Sequence, residues 1–336
     1  MSRRAWTMPV LLVMAALLVS CGGSPRQTIN LGWPPPPNQP RVKYVGTLYG
    51  SRDLKRSFFG KVRDFLFGGS PEEVIGKPYG VARGRDGKLY LADTSRKGVL
   101  VYDLRAGTAD FFNDLGRFGT LQEPVYIALD RKGRVYVSDT KLARIAVFNP
   151  DHSFSHFIGE KGDFVAPVGM AFDNNEERLY VVDTRGHKVV VFDRDGHKLF
   201  SFGKRGDEKG EFYYPVTVRV SRGDTVYVVD SFHFAVQAFS PDGTFLFSFG
   251  PIKAGGSKMA RPRDIAIDSE DHLYITDANR NHVQVWSSQG KLLMTFGQFG
   301  SAPGEFRLPA GICILNDTIY VADSINRRVQ LFRYLG

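Results

Sequence analysis

The sequence predicts an all-β chain closed into a six-bladed β-propeller with four-stranded antiparallel blades. Three observations carry this. A strand ending in a turn acid occurs six times, as KLYLADT, RVYVSDT, RLYVVDT, TVYVVDS, HLYITDA and TIYVADS, with the acid at Asp93, Asp139, Asp183, Asp230, Asp277 and Asp323. A proline followed by an apolar strand keeps the same phase, at Pro78, Pro124, Pro167, Pro215, Pro262 and Pro309. Between these marks lie short apolar runs separated by turns rich in Asp, Asn and Gly. Two independent marks in phase at about 46 residues define a repeat, and four strands per unit suit a propeller blade.

The elements follow in chain order. Arg3 and Arg4 precede the apolar run MPVLLVMAALLV, so residues 1–20 read as a secretory signal peptide, its apolar stretch of about 15 residues marginal against the ~20 of a spanning helix. Residues 21–41 are polar and proline-rich and read as a semi-rigid spacer. VKYVGTLYG, from Val42, looks like the fourth strands KLFSFG and KLLMTFG, and the sixth unit lacks a fourth strand. The N-terminal strand is therefore expected to complete the last blade, which removes the open edges. One propeller domain then spans 42–336. Its blade-linking loop 51–77 is about twice the usual length, and Leu54, Phe58, Val62, Phe65 and Leu66 recur there at helical spacing among Lys and Arg. That predicts a short basic amphipathic helix for a partner groove or membrane surface. Blade three shows the regular unit: VGMAFD, RLYVVD, KVVVFD and KLFSFG, with nearly unbroken apolar runs in its second and third strands.

Two resemblances add to this. The unit RPRDIAIDSEDHLYITDANRNHVQVW, with Asp277, Asn279 and Val283 in a D-x-N-R…V pattern, resembles the NHL repeat. LPAGICILNDTIYVADSINRRVQLF is a second clear copy, and the likeness extends over all six units. It implies the fold and little about function. Leu18-Val19-Ser20-Cys21 resembles the bacterial lipobox, which implies cleavage before Cys21 and lipid on it. Gly22 next to it implies the outer membrane of a Gram-negative cell. Cys313 is then the only thiol, inside the apolar AGICIL, and reads as a small buried hydrophobe.

Candidate chemistry is thin. An Asp at the head of a turn accepts backbone N–H bonds, and a residue needed once per blade is structural rather than catalytic. His187, His233 and His282 follow the acid on consecutive blades and are weak candidates for a zinc site, but at offsets of four, three and five. Peptide-amidating lyases resemble this propeller and carry zinc-binding His directly after the blade-opening proline. Here those positions hold Tyr79, Val125, Val168, Val216, Arg263 and Ala310. No nucleophile elbow, phosphate loop or zincin motif occurs, so no catalytic residue and no cofactor is expected.

Formal charge is +9, or +7 without Arg3 and Arg4. The turns between strands two and three carry many cations and no acid beyond the repeated Asp, and they share a face with the blade-linking loops. Arg144, Arg185, His187, His233, Arg280, His282, Arg327 and Arg328 are thus a candidate docking face. The expected function is a non-enzymatic envelope lipoprotein whose propeller binds an acidic envelope or extracellular protein. The membrane partner is reached through Cys21. Animal NHL propellers bind RNA with such a face, but an exported chain is not expected to meet nucleic acid. The alternatives are a metal-dependent lyase-like or lactonase-like enzyme, or a glycan or peptide sensor, working in the central funnel.

Overall fold

The computed structural model describes residues 29–54, 73–160, 162–250 and 259–336. The signal peptide, Cys21, and Phe58, Val62, Phe65 and Leu66 of the expected helix lie outside the described residues.

The described residues form six antiparallel sheets. Five are four-stranded, at 78–112, 124–158, 167–202, 215–249 and 262–296. The sixth combines the three strands of 309–334 with an N-terminal strand, Val42–Leu48, as the sequence predicts. First strands pack against first strands all the way round, with blade six against blade one, so the ring is closed. Residues 31–336 form one compact unit.

The core has six parts, one between each pair of blades. Val190 and Phe192 of blade three meet Ile145 and Val147 of blade two on one side. On the other, Val189 and Val191 meet Val218 and Val228 of blade four. A middle strand therefore buries both faces, which is why its apolar run is unbroken. The last interface, between blades six and one, includes Leu48, Leu54 and Ile75.

Two sequence boundaries need correction. A further strand, Gly32–Trp33, pairs with Val42–Leu48, and Trp33 packs on Phe296 and Phe332. The half-buried indole ties this segment to the last blade, and the compact unit starts at Leu31, inside the expected spacer. Leu54 is also not the start of a helix. It ends the single 3-10 turn Ser51–Asp53 with extended backbone, and its side chain is buried between blades.

The first strands come very close at the axis. A Cβ on Gly169 would sit 2.4 Å from the Thr217 Cα, and one on Gly311 would sit 2.3 Å from the Tyr79 carbonyl, so neither position tolerates a side chain. Among the first strands, the buried Tyr126, Thr217 and Asp264 hydrogen-bond to one another.

Candidate docking face

Each blade-opening proline pairs with the repeated aspartate, Pro78 with Asp93 and so on to Pro309 with Asp323. This register puts the blade-linking loop and the turn after strand two on one face, here called upper. All six aspartates are fully buried. They serve the turn, as expected, and also the linking loop, which sequence reading missed. Asp93 accepts the N–H groups of Ser95 and Arg96 ahead of it, at 3.1 Å each. It also accepts those of Gly76 and Lys77 behind it, at 2.6 and 3.0 Å. Asp139 does the same for Lys141, Leu142, Gln122 and Glu123. One carboxylate thus ties two loops, and a saturated acceptor of this kind has no proton-transfer task.

The acid also sorts the candidate residues by turn position. The residue two after it is exposed in every blade: Ser95, Lys141, Arg185, Phe232, Asn279 and Ile325. The residue four after it takes left-handed backbone in every blade, with φ of 51–55° at Lys97, Ala143, His187, Phe234, Asn281 and Arg327. The residue five after it begins strand three and turns inward. Arg144 there stacks on Phe157 at 5.3 Å. Arg328 is 1% exposed. It is an ion-pair partner of Asp323 at 2.7 Å, so it is removed from the docking face.

The histidines fall in three different turn positions and are held separately. His187 is left-handed and stacks on Tyr213. His233 bridges Asp230 at 2.8 Å and Asp207 at 3.0 Å. Burial pulls its imidazole down, but those two carboxylates outweigh this and hold it above the ordinary value. His282 starts strand three beside Gln284, and burial, opposed by Asp277, holds it below the ordinary value. The three do not converge, and no metal-binding group of His, Cys, Asp or Glu forms among the described residues.

The face is less basic than its turns alone imply, because the linking loops bring acids to it. Arg96 pairs with Glu73, and Lys204 with Glu211 at 3.0 Å. Arg280 lies 3.9 Å from Asp277. What distinguishes the face is apolar exposure. Phe118, Tyr213, Tyr214, Phe232, Phe234, Phe299, Leu308 and Ile325 are all exposed in its loops and turns. No exposed large apolar residue is found in the strand one–two turns or the closed strand three–four turns of the lower face, among the described residues. Arginines lie over three of these rings: Arg117 on Phe118, Arg205 on Tyr213 and Arg307 on Phe299, at 4.9, 5.6 and 5.7 Å. At blades three and four the rings become contiguous. Tyr213 and Tyr214 each contact both His187 and Phe232. Tyr213 and Tyr214 are adjacent in sequence but 18–19 residues from Phe232, so only the fold assembles this patch.

The NHL repeat family model matches residues 259–286, the blade-five unit in which the sequence carries the D-x-N-R pattern. The sequence has no significant match among curated proteins. Solved structures share the propeller. A streptogramin B lyase is 11% identical, with a TM-score of 0.60, over 77% of this chain and 94% of its own. A catalytically inactive virginiamycin B lyase from Staphylococcus aureus with quinupristin is 14% identical, with a TM-score of 0.58, over 78% and 96%. An auxiliary nutrient binding protein from Bacteroides thetaiotaomicron is 13% identical, with a TM-score of 0.61, over 77% of this chain and 69% of that one. At these identities the likeness concerns fold.

Proposed function

We propose that this NHL-type propeller is a non-enzymatic docking module, binding a protein partner of the cell envelope through its upper face. The observation that carries the reading is the contiguous patch of Tyr213, Tyr214 and Phe232 with Arg205 over it. Tyr, Phe and Arg are the residues enriched in interface cores and hot spots. Exposed rings on one face of a rigid ring cost little ordering entropy when a partner covers them. In this reading Cys21 carries lipid and holds the propeller at the outer membrane, and Arg185, Lys141 and Arg327 add the positive rim that favours an acidic partner. The solved propellers include both lyases and a nutrient binding protein, so the fold by itself favours neither catalysis nor binding.

A photo-crosslinking amino acid placed at Arg185 in intact cells tests this. The same reporter at Asp242, in a strand three–four turn of the lower face, is the control. A discrete adduct from position 185 and none from position 242 is the expected result. Adducts from both positions alike, or from neither, sink the upper-face assignment. Lipid attachment is tested apart, by palmitate labelling that Cys21→Ser should abolish.

A further inference from the structure

Blade six carries a second exposed patch, two blades round the ring from Phe232, and its chemistry differs. Tyr213 and Tyr214 precede the blade-four proline, and Phe232 stands two residues after the blade-four aspartate. At blade six the same positions hold Arg307, Leu308 and Ile325. Leu308 and Ile325 are 42% and 43% exposed. Phe299 in the same linking loop is 67% exposed, the most of any large apolar side chain among the described residues. Rings that carry hydroxyls at blade four thus give way to side chains with no polar end to offer a partner.

The fold draws this patch together. The Ile325 N–H donates to the Arg307 carbonyl at 3.2 Å, and Asn326 Nδ2 donates to the Gly300 carbonyl at 2.9 Å. The Arg307 guanidinium lies 5.7 Å from the centre of the Phe299 ring. Arg280 and Arg328 lie against Asp277 and Asp323, whereas no ion pair holds Arg307 among the described residues. The acid of the same loop, Glu305, is turned back onto Gln298 and the Ala302 N–H, at 2.9 and 3.0 Å.

This corner is also where the chain enters the fold. Leu31 packs with Trp33 and Phe306 in the core between blades five and six. A Cβ on Gly304, in the loop between Phe299 and Arg307, would sit 2.6 Å from the Leu31 Cδ2. Leu31 is ten residues on from Cys21, and a chain of that length spans about 35 Å at full stretch.

We propose that the blade-six corner rests on a bilayer, with Phe299, Leu308 and Ile325 in the headgroup region and Arg307 on an anionic lipid phosphate. The inference rests on the reading that Cys21 carries lipid. Apolar side chains flanked by a cation are the chemistry of an interfacial contact, and the cation gains from the negative surface. A short tether raises the local concentration of the patch at the membrane, so a contact too weak to recruit a free protein is still made. The patch of Tyr213, Tyr214 and Phe232 stays free for the protein partner.

Quenching by brominated lipid tests this. A chain begun at Cys21 contains the whole compact unit 31–336, and Cys21 is coupled to a maleimide lipid in vesicles of phosphatidylcholine and phosphatidylglycerol. Cys313→Ala confines the coupling to Cys21. The tether is then present whether or not the cell lipidates Cys21, which palmitate labelling decides separately. Phe299→Trp is compared with Val165→Trp, an exposed position equivalent to Arg307 but three blades away. Trp33 and Trp286 are common to both variants. Bromine on the acyl chains is expected to quench the emission added by Phe299→Trp and not that added by Val165→Trp. Arg307→Glu should reduce the quenching, as should replacing phosphatidylglycerol with phosphatidylcholine. These side chains are exposed, so the thermal midpoint should stay in place and separate lost contact from lost fold. Equal quenching at both positions, quenching at neither, or quenching indifferent to Arg307→Glu overturns the proposal.

Discussion

Asp183 and Asp323 hold the same place in blades three and six, yet their partners differ. Asp183 accepts only main-chain N–H groups, from Val165, Ala166 and Gly186 at 2.8–3.2 Å. Asp323 accepts one, from Arg307, and three side chains: Asn326 at 2.8 Å, Arg328 at 2.7 Å and Gln330 at 3.2 Å. Arg328 passes the contact on, donating to the carbonyls of Ser301, Ala302 and Glu305 in the linking loop. The repeat therefore fixes where the acid stands, while local sequence decides whether main chain or side chain satisfies it. A buried charge is tolerated in blade six because its cation is buried with it.

That difference sets the sizes of two losses. Arg328→Ala leaves Asp323 buried without its cation and removes three donors from loop carbonyls. Breaking one side of a buried pair costs ~3–5 kcal/mol, and urea unfolding should show a loss of that order with an unchanged slope. Asp183→Asn keeps the shape and one acceptor oxygen but sets an amide NH₂ against donors. The cost expected there is about 1–3 kcal/mol. Equal losses in the two variants would mean that the buried ion pair adds nothing to the shared turn role.

These residues also show what the sequence makes legible. Six copies in phase at two independent marks leave little freedom in blade number, strand count or ring closure. The register of proline and aspartate assigns loops to faces. Adjacent residues are harder. Arg327 and Arg328 look alike in sequence, but one is the last residue of a turn and the other the first of a strand, and successive side chains of a strand point to opposite sides. One is therefore exposed and the other buried. The aromatic patch and the buried cluster of the first strands were hidden for another reason. Tyr126, Thr217 and Asp264 are separated by as many as 138 residues, and no local pattern distinguishes them from other residues of first strands.

His233 and His282 sharpen the same lesson with a smaller effect. Both lie just after the acid, but His233 faces two carboxylates and His282 faces the strand. Carbon–proton resonances followed by NMR should place the His233 titration above the unperturbed value of about 6.5 and that of His282 below it. The signs of their stability terms are opposite. The raised His233 contributes stability fully below about pH 6.5, and loses it as pH rises through its folded value. The lowered His282 contributes above that pH, and loses it as pH falls through its own folded value. Coincident titrations would show that turn position does not decide the charge state. Asp207→Asn should bring His233 back toward its ordinary value, since it removes a carboxylate at 3.0 Å.

The smallest expected effect on the fold is at Phe232, two residues past the buried Asp230. It is 43% exposed, and its ring touches Tyr213 and Tyr214 rather than the core between blades. Phe232→Ser should change stability by about 0.5 kcal/mol or less, the usual range for a surface site. It should nevertheless remove the upper-face adduct captured from position 185. Asp183→Asn supplies the opposite control, a fold weakened beside an intact patch, and should keep that adduct below its own unfolding temperature. A single face then separates into buried acids that hold its loops and exposed rings that meet the partner. Loss of the adduct in Asp183→Asn with its retention in Phe232→Ser would reverse those two roles.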